Sequence, residues 1–479
     1  MNLLRRAALA AGHDLTLGAL LDRLAAVHGD RVLVDEAGGA RRTHREAAEL
    51  VARWSGAVDV APGSRVVVAV PNGYDQLLAC LAVARAGAVP VPLNDQMRPD
   101  EVEHVVADSG AERIVRDVGE LEGGQPTEAR YPPTDVAAIF YTSGTTGRPK
   151  GACLTDSAIL GSLGPGALWP AFLHRDEAVI GLPVAHIMGF VVLAGLAVAG
   201  VPVRLQPRFD PVAVLDDIEG RRCTVFIGVP AMYRMLLEAG AADRDLRSIR
   251  VWGSGADAMP TELARTFQRM GATATLPVIG RSLGEALFVE GWGMVETGGA
   301  AIGRVALPYV GAPARALPGY KVRVDDPDET GVGELLVKGP GVLAGYHDDP
   351  EATAAVLDDG WLRTGDLVRQ GRFGSLSFAG RTKDVIKCGG FSVFAAEVER
   401  ALEECPGVDE AAVLAAPDRR LGEVPVAAVR GSARPDDVVA FAREHLAHYK
   451  VPRRVVLVDE LPRGGTGKVQ KDLLRAFFD

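Results

Sequence analysis

Residues 65–93 read RVVVAVPNGYDQLLACLAVARAGAVPVPL, and this stretch decides the fold. Arg65–Val70 is a short β-branched run of the kind found in buried strands, and Ala88–Leu93 is a second apolar run. The Ala- and Leu-rich segment Tyr74–Ala86 between them has helical spacing. A strand, a helix and a strand in this order favour parallel pairing, so the stretch predicts an α/β fold with largely parallel strands.

The same rhythm continues along the chain. Thr224–Val229 and Ile249–Trp252 are predicted strands, and Thr261–Met270 is a predicted helix. Beyond about residue 320 the pattern changes, because Lys321–Val324 and Gly333–Val337 predict antiparallel strands joined by Asp- and Gly-rich turns.

The last hundred residues indicate a compact α+β unit. Ala396–Glu404 and Pro435–His448 are predicted helices, and Glu410–Ala416 is a predicted strand. A polar break at Arg381–Asp384 separates apolar runs, and we place the domain boundary there.

Composition excludes several classes of protein. The chain has 479 residues, 48% of them hydrophobic and 24% charged, with a formal net charge of -10. This length favours two to four domains or subdomains, and the composition argues against extensive disorder. A protein that binds nucleic-acid phosphates would show a basic face, which this acidic sequence does not suggest.

Cysteine spacing and hydropathy indicate a protein of a reducing compartment without a membrane span. The five cysteines lie far apart without metal-site spacing, so we expect them to be buried and unpaired. The start MNLLRRAALAAGHD has too short an apolar region for a signal peptide, and Val191–Val203 is too short to span a bilayer. We therefore expect a soluble cytoplasmic protein, with Val191–Val203 in its core.

The strongest local feature is the string YTSGTTGRPKG at residues 141–151, directly after the predicted strand Val136–Phe140. Glycines let the backbone approach a phosphate, hydroxyls donate hydrogen bonds, and Lys150 and Arg148 add positive charge. The spacing differs from that of a Walker A loop. The string predicts a polyphosphate site formed by Thr142, Ser143, Gly144, Thr145, Thr146, Gly147 and Lys150.

This string resembles the signature of the adenylate-forming superfamily, which includes acyl- and aryl-CoA ligases, amino-acid adenylation domains and luciferases. Similar strings recur in the family's order from about residue 15 to the C-terminus. The resemblance implies a large N-terminal domain, residues 1–381, of two doubly wound α/β subdomains and a small β-barrel-like subdomain. It also implies a small mobile α+β C-terminal domain, residues 382–479, with Lys383 as the hinge.

The segment Glu290–Thr297 resembles the family's YGxTE element. By this resemblance Trp292, between Gly291 and Gly293, replaces a tyrosine that stacks on adenine, and an indole face suits that role. Glu296 and Thr146 are implied to bind Mg²⁺, a hard cation that takes oxygen ligands.

Val295 departs from the family pattern, which has threonine at this position. The threonine hydroxyl donates toward the α-phosphate, and the loss of one such donor costs about 2–4 kcal/mol of transition-state stabilisation if nothing replaces it. A bound water or the hydroxyl of Thr297 is the replacement we consider.

Two further segments resemble nucleotide and CoA elements of the family. Trp361–Leu367 resembles the segment whose aspartate, here Asp366, accepts hydrogen bonds from both ribose hydroxyls. Gly380–Asp384 and the residues that follow resemble the hinge. The resemblance implies ribose or phosphate contact by Arg381 and a pantetheine tunnel lined by Gly389 and Gly390. Ala395 replaces a usual proline, which is a minor departure.

Pro462–Lys468 resembles the terminal motif whose lysine drives adenylation. Lys468 would place a cation at the transferring phosphoryl group and the attacking carboxylate, where it stabilises the developing charge.

Leu182–Gly189 resembles the element whose histidine, here His186, lies beside the acyl group. The resemblance implies an acyl pocket formed by His186, Phe190, Val229, Met232, Tyr233 and Gly255. These residues are mostly apolar, which favours a fatty, aromatic or polycyclic acid over an amino acid. The link Thr273–Ala286 into the Glu290 element is longer than usual for the family.

Gly253–Ala258 also matches the G-x-G-x-x-A pattern of dinucleotide-binding proteins. A dehydrogenase would need an acidic residue about 20 positions later, and residues 263–284 contain no Asp or Glu. We prefer the family interpretation, in which the loop with Gly255 and Ala256 borders adenine and the acyl group.

The combined prediction is an AMP-forming acyl-CoA synthetase with ATP, Mg²⁺ and coenzyme A as cofactors. No carrier-protein domain follows Asp479, so we expect the acceptor thiol to come from CoA. Three alternatives stay open: loading of a separate carrier protein, an enzyme weak in adenylation that mainly transfers a supplied acyl-AMP, and a non-catalytic nucleotide-binding protein. The predicted partners are a small carboxylic acid and CoA, and a homodimer is compatible with the sequence.

Overall fold

The structure is a computed structural model. It describes the chain except for residues 1–14, 95–96, 130, 143–148, 162, 164–166, 168, 170–175, 276–281, 307–312, 390, 465–468 and 479. The chain forms two compact units. The first comprises Met1–Lys321 and Lys338–Leu362, and the second comprises Val322–Val337 and Arg363–Asp479. The domain boundary at residues 381 and 382 and the hinge at Lys383 stay predictions.

The described α-helices are, in chain order, α1 Leu20–His28, α2 His44–Ser55, α3 Tyr74–Arg85, α4 Pro99–Ser109, α5 Asp156–Leu160, α6 Ile187–Ala199, α7 Pro211–Arg221, α8 Pro230–Glu238, α9 Thr261–Met270, α10 Pro350–Val356, α11 Ala395–Glu403, α12 Pro435–His445 and α13 Lys471–Leu474. Several begin at signals visible in the sequence. Thr43 and Glu46 form a capping box at the start of α2, and proline occupies the first turn of α7, α8, α10 and α12.

The described strands of the first half are β1 Val32–Glu36, β2 Arg41–Thr43, β3 Arg65–Val68, β4 Val89–Pro92, β5 Arg113–Val115, β6 Val136–Tyr141, β7 Gly151–Thr155, β8 Ala178–Ile180, β9 Val203–Leu205, β10 Val225–Gly228 and β11 Val251–Gly255. They are followed by β12 Ala274–Thr275, β13 Ser282–Leu283, β14 Leu287–Met294, β15 Gly299–Ala306, β16 Arg315–Ala316, β17 Lys321–Asp325, β18 Val332–Lys338, β19 Gly345–Tyr346, β20 Leu357–Asp358, β21 Trp361–Gln370, β22 Leu376–Arg381, β23 Val385–Cys388, β24 Phe391–Phe394, β25 Val408–Asp418, β26 Gly422–Gly431 and β27 Val455–Leu457.

The largest sheet of the first unit has the order β16-β15-β14-β11-β10-β8-β9-β1-β2. Its central strands from β14 to β1 are parallel, and β2 and β15 pair antiparallel at the two sides. A second sheet, β4-β3-β5, is parallel throughout, and α3 joins β3 to β4. The predicted α/β fold with parallel strands is therefore confirmed.

The core of the first unit surrounds α6 and α3. The apolar segment Val191–Val203 lies in this core, as predicted, and most of it belongs to α6. The helix ends at Gly200, whose φ of 67° is left-handed. All five cysteines are free and buried, as predicted, and burial raises the pKa of Cys153 to about 11. Among the described residues, no helix combines the length and the apolar character that crossing a bilayer requires.

The second unit contains two sheets. In one, β18 lies between β17 and β21, and β22 pairs antiparallel with β21. The other has the order β24-β23-β26-β25, with β27 parallel to β26, and packs on α11 and α12 around Val398, Val413 and Val438. This is the α+β arrangement that the sequence predicted.

Candidate active site

The predicted phosphate loop connects β6 to β7. These strands pair antiparallel with Tyr141 opposite Gly151, and the amide of Thr142 donates to the carbonyl of Lys150 over 2.9 Å. The two ends of the loop are thus held together at its base. Ser143, Gly144, Thr145, Thr146 and Gly147 lie outside the described residues.

Lys150 lies close to Tyr346 of β19 and to Asp349, which precedes α10. Its Nζ is 3.2 Å from Oδ2 of Asp349 and 5.5 Å from the ring centroid of Tyr346. The amide of Ala352, donating to Asp349 at the start of α10, and then Lys150 itself lower the pKa of Asp349. The lysine charge is therefore held beside the loop that we predict to bind phosphates.

Glu296 lies in a 3₁₀ turn, Val295–Thr297, directly after β14. The hydroxyl of Tyr346 donates to Glu296 Oε1 over 2.9 Å. Among the described residues, no group of three or more His, Cys, Asp or Glu side chains is placed to hold a metal ion. A single half-buried carboxylate fits Mg²⁺, which takes one or two protein carboxylates and completes its shell with phosphate oxygens and water. Thr146, the other predicted metal ligand, lies outside the described residues.

Trp292 occupies an irregular position of β14. It pairs with Ile302 of β15, and the register shifts between Trp292 and Gly293. A Cβ atom at Gly293 would overlap the carbonyl oxygen of Gly299, so only glycine fits there. The bulge re-aims the strand beside the half-buried indole, and its contact with adenine stays a prediction.

Val295 is buried, with 8% of its surface exposed, and its side chain belongs to the core of the first unit. The sequence suggested Thr297 as a replacement donor, and the structure corrects this. The Thr297 hydroxyl is buried and bonded to the backbone, donating toward Gly299 O at 2.6 Å and accepting from the amide of Met294 at 2.9 Å. It is committed to closing the turn.

His186 caps the N-terminus of α6. Its Nδ1 accepts a hydrogen bond from the amide of Met188 at 3.2 Å, which assigns the neutral tautomer with the proton on Nε2. The imidazole thus presents a donor from a fixed helix terminus. This geometry suits the predicted position beside an acyl group.

Gly255, another predicted acyl-pocket residue, lies next to Met188 in the first turn of α6. A Cβ on Gly255 would lie 3.3 Å from Cε of Met188 and 3.0 Å from the carbonyl oxygen of Gly291. Ala256 follows with a left-handed φ of 66°, unusual for a residue other than glycine. The absence of a side chain at Gly255 therefore lets β11 lie close to Met188, a residue that sequence reasoning did not select.

The other predicted acyl-pocket residues lie deeper. Phe190 is fully buried, edge-to-face with Phe140 at 5.3 Å between centroids. Tyr233 is fully buried in the aromatic core, and its hydroxyl donates to Gly253 O over 2.7 Å. Val229 is buried at the start of α8, and Met232 is half-buried. Contact of these four residues with the acid stays a prediction.

In the second unit, the buried Asp366 forms an ion pair with the half-buried Arg381. Nε of Arg381 is 2.8 Å from Oδ1 of Asp366, and the two residues lie opposite each other in β21 and β22. A buried carboxylate needs such a partner. Lys383 is exposed on the 3₁₀ turn Thr382–Asp384.

The predicted pantetheine segment begins at Gly389, which has a left-handed φ of 58° and donates its amide to Leu421 O over 2.9 Å. Gly390 lies outside the described residues. Phe391, the next residue, is 55% exposed and stacks on Tyr449 at 4.4 Å between centroids. Sequence reasoning did not select this aromatic pair, because its members are distant in the chain.

The terminal motif is closed at its base. The amide of Gln470 donates to Pro462 O over 2.7 Å, and Arg463 forms an antiparallel bridge with Val469. The guanidinium of Arg463 pairs with the buried carboxylate of Glu410. Lys468 itself lies outside the described residues.

Comparison with known families identifies the class. The family model described as AMP-binding enzyme matches residues 21–347, and the model described as AMP-binding enzyme C-terminal domain matches residues 397–468. The chain therefore belongs to the AMP-binding enzyme family, and the resemblance to the adenylate-forming superfamily is confirmed. This membership also excludes the dehydrogenase interpretation of the Gly253–Ala258 loop.

Individual relatives narrow the class to acid–thiol ligases. The chain is 35% identical to 3-[(3aS,4S,7aS)-7a-methyl-1,5-dioxo-octahydro-1H-inden-4-yl]propanoyl:CoA ligase of Mycobacterium tuberculosis, over 88% of this chain and 90% of that protein. It is also 35% identical to feruloyl-CoA synthase of an Amycolatopsis species, over 92% and 95%. The solved O-succinylbenzoate coenzyme A synthetase of Bacillus subtilis, in complex with ATP and magnesium ion, superimposes with a TM-score of 0.81 at 26% identity, covering 95% of this chain and 99% of that one.

Proposed function

We propose that this enzyme joins an apolar aromatic or polycyclic carboxylic acid to AMP and then transfers the acyl group to coenzyme A. The observation that carries the proposal is the cluster of Lys150, Tyr346 and Glu296 at the base of the predicted phosphate loop. It brings a cation for phosphates and a carboxylate for Mg²⁺ to one place. The two 35% identical relatives, whose names specify a bicyclic propanoate and ferulate, support the substrate class.

In the first half-reaction, a carboxylate oxygen attacks the α-phosphorus of ATP and pyrophosphate leaves. Lys150 binds the departing phosphates, Trp292 stacks on adenine, and Asp366 with Arg381 binds the ribose hydroxyls. Lys468 neutralises charge between the carboxylate and the α-phosphate. Glu296 would hold Mg²⁺, which would supply further positive charge at the phosphate oxygens.

In the second half-reaction, the thiol of CoA attacks the carbonyl carbon of the mixed anhydride and AMP leaves as the phosphate anion. His186 holds a proton on Nε2 beside the acyl group and orients its carbonyl. Rotation of the C-terminal domain about Lys383 withdraws Lys468 and presents Gly389 and Gly390 to the pantetheine arm. One site serves two reactions because a domain moves between them.

The residues proposed to receive the acyl group have apolar neighbours. Met188 and Val191 of α6 face Gly255 and Gly299, and a Cβ on Gly299 would lie 3.2 Å from the Val191 side chain. The neighbours in these contacts are apolar side chains and backbone, which supports an acid without an amino group. A ring system or a long chain suits such a surface.

The test is a pyrophosphate-release screen over aryl, polycyclic, fatty and amino acids, with and without CoA. We expect turnover with an aryl or polycyclic acid and a thioester product by mass spectrometry. A Lys468→Ala variant should lose pyrophosphate release yet still form the thioester from synthetic acyl-AMP, and exposed Lys321→Ala is the matched control. The absence of pyrophosphate release across the panel, or release only with a carrier protein, would contradict the proposal.

Val295 predicts that the first half-reaction is slow. Because Thr297 is committed to its turn, Val295→Thr should restore the missing donor and raise the rate of pyrophosphate release by about 30- to 900-fold. Thioester formation from synthetic acyl-AMP should change much less. Fast release by the native enzyme, with no gain in the variant, would show that another group supplies the hydrogen bond.

A further inference from the structure

We propose that Tyr346 is a positioning residue that fixes Lys150 and Glu296 relative to each other for the Mg²⁺-bound polyphosphate. The inference rests on the proposed function, since it concerns the same nucleotide site. It goes further because Tyr346 lies outside every motif from which the site was predicted. Its hydroxyl contacts the carboxylate and its ring contacts the cation.

The first contact restrains the carboxylate. The Tyr346 hydroxyl, protonated at neutral pH, donates to Glu296 Oε1 over 2.9 Å. The backbone of Glu296 is held by a separate hydrogen bond, because its carbonyl oxygen accepts from the amide of Leu343 at 2.9 Å. With main chain and one oxygen both held, the side chain loses rotational freedom, and its orientation toward a metal ion is set before the ion binds.

The second contact restrains the cation. Lys150 Nζ lies 5.5 Å from the Tyr346 ring centroid, within the range of a cation–π interaction. Asp349, three residues later, pairs with the same Nζ at 3.2 Å. Without these two partners, a half-exposed lysine would sample many rotamers.

The segment that carries both partners is itself anchored to the phosphate loop. Tyr346 pairs with Ala152 of β7, and the amide of His347 donates to Gly151 O over 2.7 Å. The amide of Tyr346 donates to the hydroxyl of Thr353 in α10 over 2.9 Å. The phenol is therefore held on a hydrogen-bonded support rather than on a free loop.

Two substitutions separate the contacts, with binding of a non-hydrolysable ATP analogue measured by calorimetry with Mg²⁺ and with EDTA. Tyr346→Phe keeps the ring and removes the hydroxyl. We expect the Mg²⁺ concentration for half-maximal stimulation of binding to rise about 10-fold or more, with binding in EDTA unchanged. Tyr346→Leu removes both contacts, so binding in EDTA should also weaken, by about 2- to 5-fold.

Tyr320→Phe is the matched control, since the buried Tyr320 hydroxyl donates to the carbonyl of Thr297 in the same turn at 3.3 Å. It should leave the Mg²⁺ requirement unchanged. Glu296→Gln provides a second control. In a protein that already carries Glu296→Gln, adding Tyr346→Phe should not raise the Mg²⁺ requirement further, whereas general misfolding would still weaken binding. Equal Mg²⁺ requirements in native and Tyr346→Phe proteins, or equal losses with and without Mg²⁺, would overturn the inference.

These measurements need no acid substrate, so they can contradict the role of Tyr346 without contradicting the proposed function. If the native protein binds the analogue with Mg²⁺ and Tyr346→Phe binds it equally well, only the proposed role of Tyr346 is contradicted. If the native protein binds no ATP analogue under any condition, both the proposed function and this inference are contradicted.

Discussion

The two faces of the sheet around β11 and β14 are built from opposite kinds of residue. On one face Trp252 pairs in register with Phe288, and Tyr233 and Phe267 pack edge-on against the indole. Trp252, Tyr233, Phe267 and Phe288 are fully buried. This face is filled by interlocking rings, which leave little freedom to the strands.

The opposite face of the same strands carries aliphatic residues, Val251 and Val289, and ends in glycines. Gly255 lies directly opposite Gly291, which lies opposite Gly303 of β15, and Gly293 lies opposite Ala300. Because side chains alternate between faces along a strand, Gly255 and Gly291 lie on the face away from Trp252 and Phe288, and Gly255 adjoins Met188 of α6. The surface that is proposed to receive the acyl group, here called the open face, is therefore glycine backbone next to Met188.

The comparison teaches how a rigid open surface is made. Glycines weaken strands, since they add no packing and cost backbone entropy on folding. The aromatic layer on the other face stabilises the same strands and keeps them in place. Substitutions on the filled face should therefore change stability, and substitutions on the open face should change substrate range.

The largest expected effect is on the filled face. Phe267→Ala should lower the free energy of unfolding by about 3–5 kcal/mol, because it leaves a cavity among Tyr233 and Trp252. Urea unfolding followed by tryptophan fluorescence measures the loss. Phe477→Ala, at a position that is 50% exposed, is the control and should change stability little. If Phe267→Ala lowered activity without lowering stability, the proposed division of roles between the two faces would be wrong.

The core on the α6 side differs in holding a buried acid, and this should make its stability depend on pH. Asp156 is fully buried, its Oδ1 accepts from the amide of Leu17 at 2.5 Å, and burial raises its pKa to about 7. The folded state thus holds the proton more tightly than the unfolded state. The stabilisation is complete below about pH 4 and is lost as the pH rises through about 7.

Asp156→Asn removes this titration and keeps an oxygen for Leu17. At pH 8 the variant should exceed the native protein by up to about 4 kcal/mol in free energy of unfolding, and the difference should shrink toward pH 5. Urea unfolding at pH 5, 6.5 and 8 measures it, with exposed Asp243→Asn as the control. A difference that is the same at each pH would exclude Asp156 as its source.

On the open face, Gly255→Val should act on substrate choice. Its Cβ would lie 3.0 Å from Gly291 O and 3.3 Å from Met188 Cε, so its methyl groups would displace the Met188 side chain. We expect the pyrophosphate-release rate with bulky acids to fall about 100-fold, with a much smaller loss for short acids. Gly220→Val, where no atom lies near the new side chain, is the control. Equal losses for all acids would indicate general damage to the sheet.

Local patterns predicted most of the fold. The run at 65–93 became β3, α3 and β4, and helix α9 has the predicted bounds, because period and turn residues act over short distances. The phosphate loop and the Glu296 element were also predicted, since each is a continuous string. The contact of Tyr346 with Glu296 was not, because it joins residues 50 positions apart. Nothing in the local sequence of either residue indicates the other.

The acyl residues show a different limit. Alternation along a strand determines the face of Gly255, but the core that a helical residue enters depends on packing against distant elements. Phe190 and Tyr233 were both predicted to line the acid, and the structure buries each in a core. Their family position and their packing therefore point to different roles, and these can be separated by experiment.

Tyr233→Phe separates them with the smallest expected effect. Loss of the 2.7 Å hydrogen bond to Gly253 O should lower the free energy of unfolding by about 1 kcal/mol, and the aromatic packing should persist. If Tyr233 only supports β11 from the filled face, kcat/KM should stay within about twofold for every acid. If its hydroxyl contacts the acid, KM should rise selectively for acids with a polar group, without a matching loss of stability. Urea unfolding and steady-state kinetics on the same preparations distinguish these outcomes. A selective rise in KM would mean that the acid extends past β11 and contacts the aromatic core.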